Sequence, residues 1–119
     1  MSKKILVVDD SASVRQQVGL ALKHAGYEVV EATDGADGLQ KIQGGGMSMV
    51  ICDVNMPRMN GLEMIEAVQR SGVVVPIVML TTEGQPGLIE RAKKAGAKGW
   101  IVKPFKADLL VAAVKKLAV

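Results

Sequence analysis

The chain has 119 residues, 49% hydrophobic and 23% charged, a balance that excludes intrinsic disorder and fits one domain with its own core. A formal net charge of +3 is too small to argue for nucleic acid, and the single cysteine, Cys52, excludes an internal disulfide framework and suits a reducing compartment. No apolar run approaches the roughly 18 residues of a membrane span, and the polar start Met1-Ser2-Lys3-Lys4 precedes too short an apolar run for a signal peptide, so a single cytoplasmic domain over 1–119 is expected.

Lys4-Ile5-Leu6-Val7-Val8 is a β-branched run that stops at Asp9-Asp10, the pattern of a strand buried on both faces. Ser11 or Ser13 can cap the following helix, where Val14, Val18, Ala21, Leu22 and Ala25 recur at helical spacing until Gly26. Tyr27 to Ala32 predicts a second strand centred on Val29 and Val30. Asp34-Gly35 marks a turn, and Ala36, Leu39 and Ile42 set the stripe of a short helix. Gly44-Gly45-Gly46 forms a loop before a third strand, Met49 to Cys52, which ends at Asp53. Pro57 and Gly61 bracket another loop, after which Leu62, Ile65 and Val68 stripe a helix. Pro76 introduces the strand Ile77 to Leu80, ending at Thr81. Leu88, Ala92 and Ala95 stripe the next helix, closed by Gly96. Trp100 to Val102 is the last strand, ending at Lys103-Pro104, and Leu110, Ala113, Val114 and Leu117 form the inner face of a final helix.

Strands alternating with helices of this length imply an α/β fold, (βα) repeated five times, with a parallel sheet covered on both faces. A closed eight-stranded barrel needs about twice the residues, which leaves an open doubly wound sheet. In such sheets the ligand site lies outside the carboxyl ends of the strands. Asp9 and Asp10 follow the first strand, Asp53 the third, Thr81 the fourth and Lys103 the fifth. Any one of these alone is common at a strand end; all of them converging on the functional edge is not.

Two carboxylates about 4 Å apart repel by roughly 4 kcal/mol at an effective dielectric near 20, so such a cluster raises its pKa values or recruits a cation. Oxygen donors without histidine or cysteine favour a hard metal, and an open edge with few protein ligands favours Mg2+. With Asp53 as nucleophile, an ionised carboxylate attacks phosphorus without a general base. Asp9 or Asp10 would hold the metal, Lys103 would add positive charge, and the Thr81 hydroxyl would donate to a phosphoryl oxygen. The product is an aspartyl phosphate, suited to a transient signal.

At these residues the chain resembles the receiver domains of two-component response regulators, in particular the stand-alone chemotaxis (CheY-like) type. The matching stretches are Ile5-Leu6-Val7-Val8-Asp9-Asp10, Asp53-Val54-Asn55-Met56-Pro57 with Gly61, Leu80-Thr81-Thr82-Glu83, and Ala95-Gly96-Ala97 leading to Lys103-Pro104-Phe105. The resemblance implies a flavodoxin-like sheet of order 2-1-3-4-5. It implies Asp53 as phosphoacceptor, Asp9 and Asp10 as the acidic metal pair, and Asn55 giving a backbone carbonyl to Mg2+. It also implies Thr81 as switch hydroxyl, Lys103 as the phosphate-binding lysine, a cis Lys103-Pro104 bond, and Asn55 and Glu83 as positions that tune hydrolysis. The aromatic switch position falls on Trp100, where the family usually has Tyr or Phe; tryptophan is larger and offers only an N–H donor.

The implied partners are a histidine kinase as phosphoryl donor and a downstream protein, such as a flagellar motor switch component or another signalling protein, bound by a monomer without an attached output domain. Helix 4, strand 5 and helix 5 are the family's usual output surface, and eight of the fifteen basic residues lie between Arg91 and Lys116, a cast that suits an acidic partner segment. His24, the only histidine, is expected on the outer face of the first helix, Cys52 in strand burial, and the methionines in the core, with Met56 and Met59 able to meet a partner. Three rival functions fit the sequence less well. A flavin carrier needs a phosphate loop that Asp9-Asp10 would repel. A small aspartyl-phosphate phosphatase needs an acid two residues beyond a nucleophile on its first strand, where only Ser11 or Ala12 stands. A docking pseudo-receiver would not need the intact acidic constellation.

Overall fold

The structure, a computed structural model, describes residues 3–56, 58–81 and 86–118. Five strands, β1 (Lys4–Val8), β2 (Glu28–Ala32), β3 (Met49–Asp53), β4 (Ile77–Thr81) and β5 (Gly99–Val102), alternate with five helices, α1 (Ala12–His24), α2 (Gly35–Gln43), α3 (Gly61–Ser71), α4 (Pro86–Lys94) and α5 (Ala107–Leu117). All pairings are parallel and the order is β2-β1-β3-β4-β5, the expected doubly wound arrangement.

Side chains alternate between the two sheet faces with period two. On one face Leu6, Val8, Val50, Cys52, Ile77 and Met79 meet Ile42 of α2, Leu62, Met64, Ile65 and Val68 of α3, and Ala92 of α4. On the other, Ile5, Val7, Met49, Ile51, Val78 and Leu80 meet Val18 and Leu22 of α1 and Leu110 and Val114 of α5. Burying an aliphatic side chain of this size contributes about 1.5–3 kcal/mol, so the three central strands dominate the core. The edge strands β2 and β5 are only half-buried.

Element ends follow local chemistry. Ser11, not Ser13, caps α1, its hydroxyl accepting from the Val14 N–H. Tyr27, expected in the second strand, lies outside it because its N–H closes the α1 terminus on the Leu22 carbonyl. Asp34 is a helix cap rather than a turn residue: its carboxylate accepts from the Asp37 N–H and α2 begins at Gly35. Ala36, expected on the inner stripe of α2, faces solvent, while Gly35 and Gly38 are buried instead. A Cβ on Gly38 would lie 2.9 Å from the Met64 sulfur and 3.0 Å from Val8, so α2 packs through its glycine face. Asn60 and Glu63 form a reciprocal capping box at the start of α3. Ladder pairing carries both Asp53, opposite Leu80, and Thr81, opposite Val102, inside their strands rather than beyond them.

Candidate functional site

Pairing of β1 with both β2 and β3 places Asp9 and Asp53 side by side at the carboxyl edge. The Asp9 N–H continues the ladder to the Ala32 carbonyl at 3.1 Å, and its own carbonyl accepts from Arg15 Nη1 at 2.6 Å. Arg15 also reaches Glu31 with Nε at 2.9 Å, tying α1 to β2 beside the acidic edge. Sequence reading missed Arg15, because nothing in its spacing distinguishes it from a solvated helix residue.

The carboxylates converge. One oxygen from each of Asp9, Asp10 and Asp53 lies within 4.8 Å of the others; Asp9 and Asp53 are buried and Asp10 is exposed. Asp9 Oδ1 accepts from the Ser11 N–H at 2.9 Å, while Oδ2 receives Lys103 Nζ at 3.1 Å. Asp53 Oδ1 accepts from the Val54 N–H at 2.9 Å and lies 3.5 Å from Lys103 Nζ. Burial first, and then the Asp9 charge, raise the Asp53 carboxyl above its ordinary value, against the opposing pull of Lys103. Three carboxylates against one ammonium give the cluster a formal charge of −2, opposite in sign and equal in size to that of one divalent cation. The donors are all oxygen and one side opens to solvent at Asp10, so the residues fit Mg2+ with part of its water shell retained.

Lys103 reaches this edge because β5 ends one residue earlier. Its N–H donates to the Thr81 carbonyl at 2.6 Å, extending the β4–β5 ladder, and the Lys103-Pro104 peptide is cis as expected. Thr81, 1% exposed, ends β4 on the same edge.

Residues 5–115 match the family of response regulator receiver domains. The chain belongs to that family. The chemotaxis protein CheY of Thermotoga maritima is 36% identical over 119 residues, spanning 99% of each chain. CheY1 of Helicobacter pylori is 40% identical over 111 residues, spanning 90% of each. A solved structure of Vibrio cholerae CheY4 superposes with a TM-score of 0.92 at 43% identity, covering 98% of this chain and 99% of that one. This is therefore a receiver domain of CheY type, with the fold of a two-component signalling protein.

Asn55 is exposed in the loop after β3. Trp100 pairs in register with Met79 and packs half-buried against the core on the α2–α3–α4 face. Its indole Nε1 is shielded from solvent and has no hydrogen-bond partner among the described residues. Glu83 and Pro57 lie outside the described residues. Met56 and Met59 pack against the same core face rather than standing free. His24 is exposed. Cys52 is buried, its S–H donating to the Asp53 carbonyl at 3.2 Å, and burial pushes the thiol well above its ordinary value, which keeps it inert. Among the described residues no helix is long and apolar enough to cross a membrane.

Proposed function

We infer that this receiver accepts a phosphoryl group from a sensor histidine kinase onto Asp53, with Mg2+ as cofactor, and signals in the cytoplasm by changing a protein-binding surface. The observation that carries this reading is the trio of carboxylate oxygens within 4.8 Å of one another, with Lys103 Nζ reaching two of the three residues. Asp9, Asp10, Asp53 and the Asn55 carbonyl would hold the ion. A bound Mg2+ supplies charge neutralisation to the incoming phosphoryl oxygens.

Asp53 acts as nucleophile. One carboxylate oxygen forms the bond to phosphorus while the bond from phosphorus to the donor imidazole nitrogen breaks, and that nitrogen keeps the electron pair. Lys103, held by Asp9 and near Asp53 before reaction, shifts its charge toward the new phosphoryl oxygens, and the Thr81 hydroxyl donates to another. Thr81 and Trp100 relay the change. Thr81 lies opposite Val102 and Met79 opposite Trp100, so an adjustment at Thr81 reaches β5 through the ladder. Asn55 and Glu83 tune the hydrolysis that ends the signal.

The output surface is α4, β5 and α5, where Val102 stands exposed and the helices carry Arg91, Lys93, Lys94, Lys115 and Lys116, a cast that suits an acidic protein segment, of a flagellar switch component or of another signalling protein. Incubation with a small phosphodonor should label the protein only when Mg2+ is present, and the Asp53→Ala variant should stay unlabelled. Equal labelling without metal, or undiminished labelling of Asp53→Ala, would overturn the reading.

A further inference from the structure

Among the described residues Arg58 is the one non-glycine residue with positive φ, +64°. Side-chain-bearing residues rarely adopt this left-handed conformation unless the surroundings hold them there. Here the holding group is identifiable. The Arg58 guanidinium reaches back 24 residues and donates through both Nε, at 2.9 Å, and Nη2 to the same oxygen, Oδ2, of Asp34. The Asp34 side chain is 4% exposed and that of Arg58 72%, so the arginine lies as a lid over a buried carboxylate. The other carboxylate oxygen is already used as the α2 cap, and the Asp37 N–H, followed by Arg58, holds Asp34 below the usual carboxylate range.

The adjoining backbone is pinned to the same place. The Gly35 N–H donates to the Met59 carbonyl at 2.9 Å, and a Cβ on Gly35 would fall 2.4 Å from that oxygen. At the far end of the loop the Gly61 N–H donates to the Val54 carbonyl at 2.9 Å. The loop is therefore tied at its base, Val54 to Gly61, and sideways at Met59 to the start of α2. Asn55, three residues before Arg58, lies between those ties.

We propose that Asp34 and Arg58 form a positioning clamp that holds the β3–α3 loop so that the Asn55 carbonyl and the Asp53 carboxylate face a common cation. Neither residue touches the ion or the phosphoryl group. The clamp rests on the metal-dependent reading of the site, and deepens it by naming residues that set metal affinity from outside the acidic trio. Losing a hydrogen bond made directly to a metal ligand weakens binding by roughly 10- to 100-fold, and a clamp that acts through the loop is expected to reach at most the low end of that range.

Two variants separate the clamp from simple stability. Arg58→Gly deletes the side chain while easing the left-handed backbone, and Asp34→Asn keeps a good helix cap while deleting the charge. Titration of the metal-free protein with MgCl2 by calorimetry should show binding weakened by up to roughly tenfold in each variant, with no further loss in the double variant. Arg58→Lys should recover part of the affinity. Amide hydrogen exchange of Gly35 and Gly61, whose N–H groups hold the loop on the Met59 and Val54 carbonyls, should quicken in Arg58→Gly in the metal-free protein, a readout independent of phosphorylation. Unchanged Mg2+ affinity in both single variants, additive losses in the double variant, or unchanged exchange would overturn the clamp. Failure of the wild-type protein to label on Asp53 would instead overturn the phosphoacceptor reading.

Discussion

Asp53 is a carboxylate placed where its charge is costly. Its folded-state pKa is raised, chiefly by burial and then by Asp9, so the native state takes up a proton more readily than the unfolded chain. Native stability from this group therefore falls as pH rises from the ordinary carboxylate value through the folded one. Asp53→Asn is accordingly expected to raise the thermal midpoint of metal-free protein at neutral pH, and the gain should vanish when pH drops below the ordinary carboxylate range. Calorimetric melts across pH, in a chelator, check this; an Asp53→Asn midpoint below wild type at pH 7 would contradict it.

At the scale of the element, α3 begins directly against the phosphoacceptor strand. A Cβ on Gly61 would sit 2.1 Å from the Asp53 carbonyl oxygen, so the first turn of this helix touches the site strand through a residue with no side chain. Gly61→Ala must push the loop or the strand aside, at a cost of about 1–3 kcal/mol, the range for overpacking. The same change should impair labelling of Asp53 by small phosphodonors. As a control, Asn60→Ala removes the capping box from the same turn for about 1 kcal/mol without adding an atom at the strand. Denaturant melts and a phosphodonor assay, run together, separate the two. Equal labelling by Gly61→Ala and wild type would show that the close approach does not matter to the site.

For the whole molecule, the acidic edge makes stability and metal binding one problem. An ion that binds only the folded state stabilises it by about 2.7 kcal/mol at one hundred times its dissociation constant. MgCl2 is expected to raise the thermal midpoint in a concentration-dependent way, and Asp10→Asn, which removes the exposed carboxylate of the trio, should blunt the rise. Trp100, the single tryptophan, is half-buried with its indole Nε1 shielded and unpartnered among the described residues. Its emission should change when a phosphoryl mimic binds with Mg2+; no change at saturation would argue against a moving indole.

Much of this was legible in the chain itself. Apolar runs of strand length alternating with helical stripes determine a five-unit parallel sheet, because each central strand must be hydrophobic on both faces to be covered on both. The residues ending those runs determine the acidic edge with Thr81 and Lys103, because strands that share a direction bring their ends to one side. Tertiary structure alone decided how that edge is held. Arg58 lies 24 residues beyond Asp34, and the donors around Asp9 come from Ser11 nearby and from Lys103 at the far end of the chain. Such contacts leave no periodic trace, since a salt bridge between distant segments depends on where two loops meet in space. Asp34 reads as a turn residue and Ala36 as a core residue until α2 is seen to pack through Gly35 and Gly38, a choice set by the Met59 carbonyl and by the side chains of Val8 and Met64 rather than by any local preference.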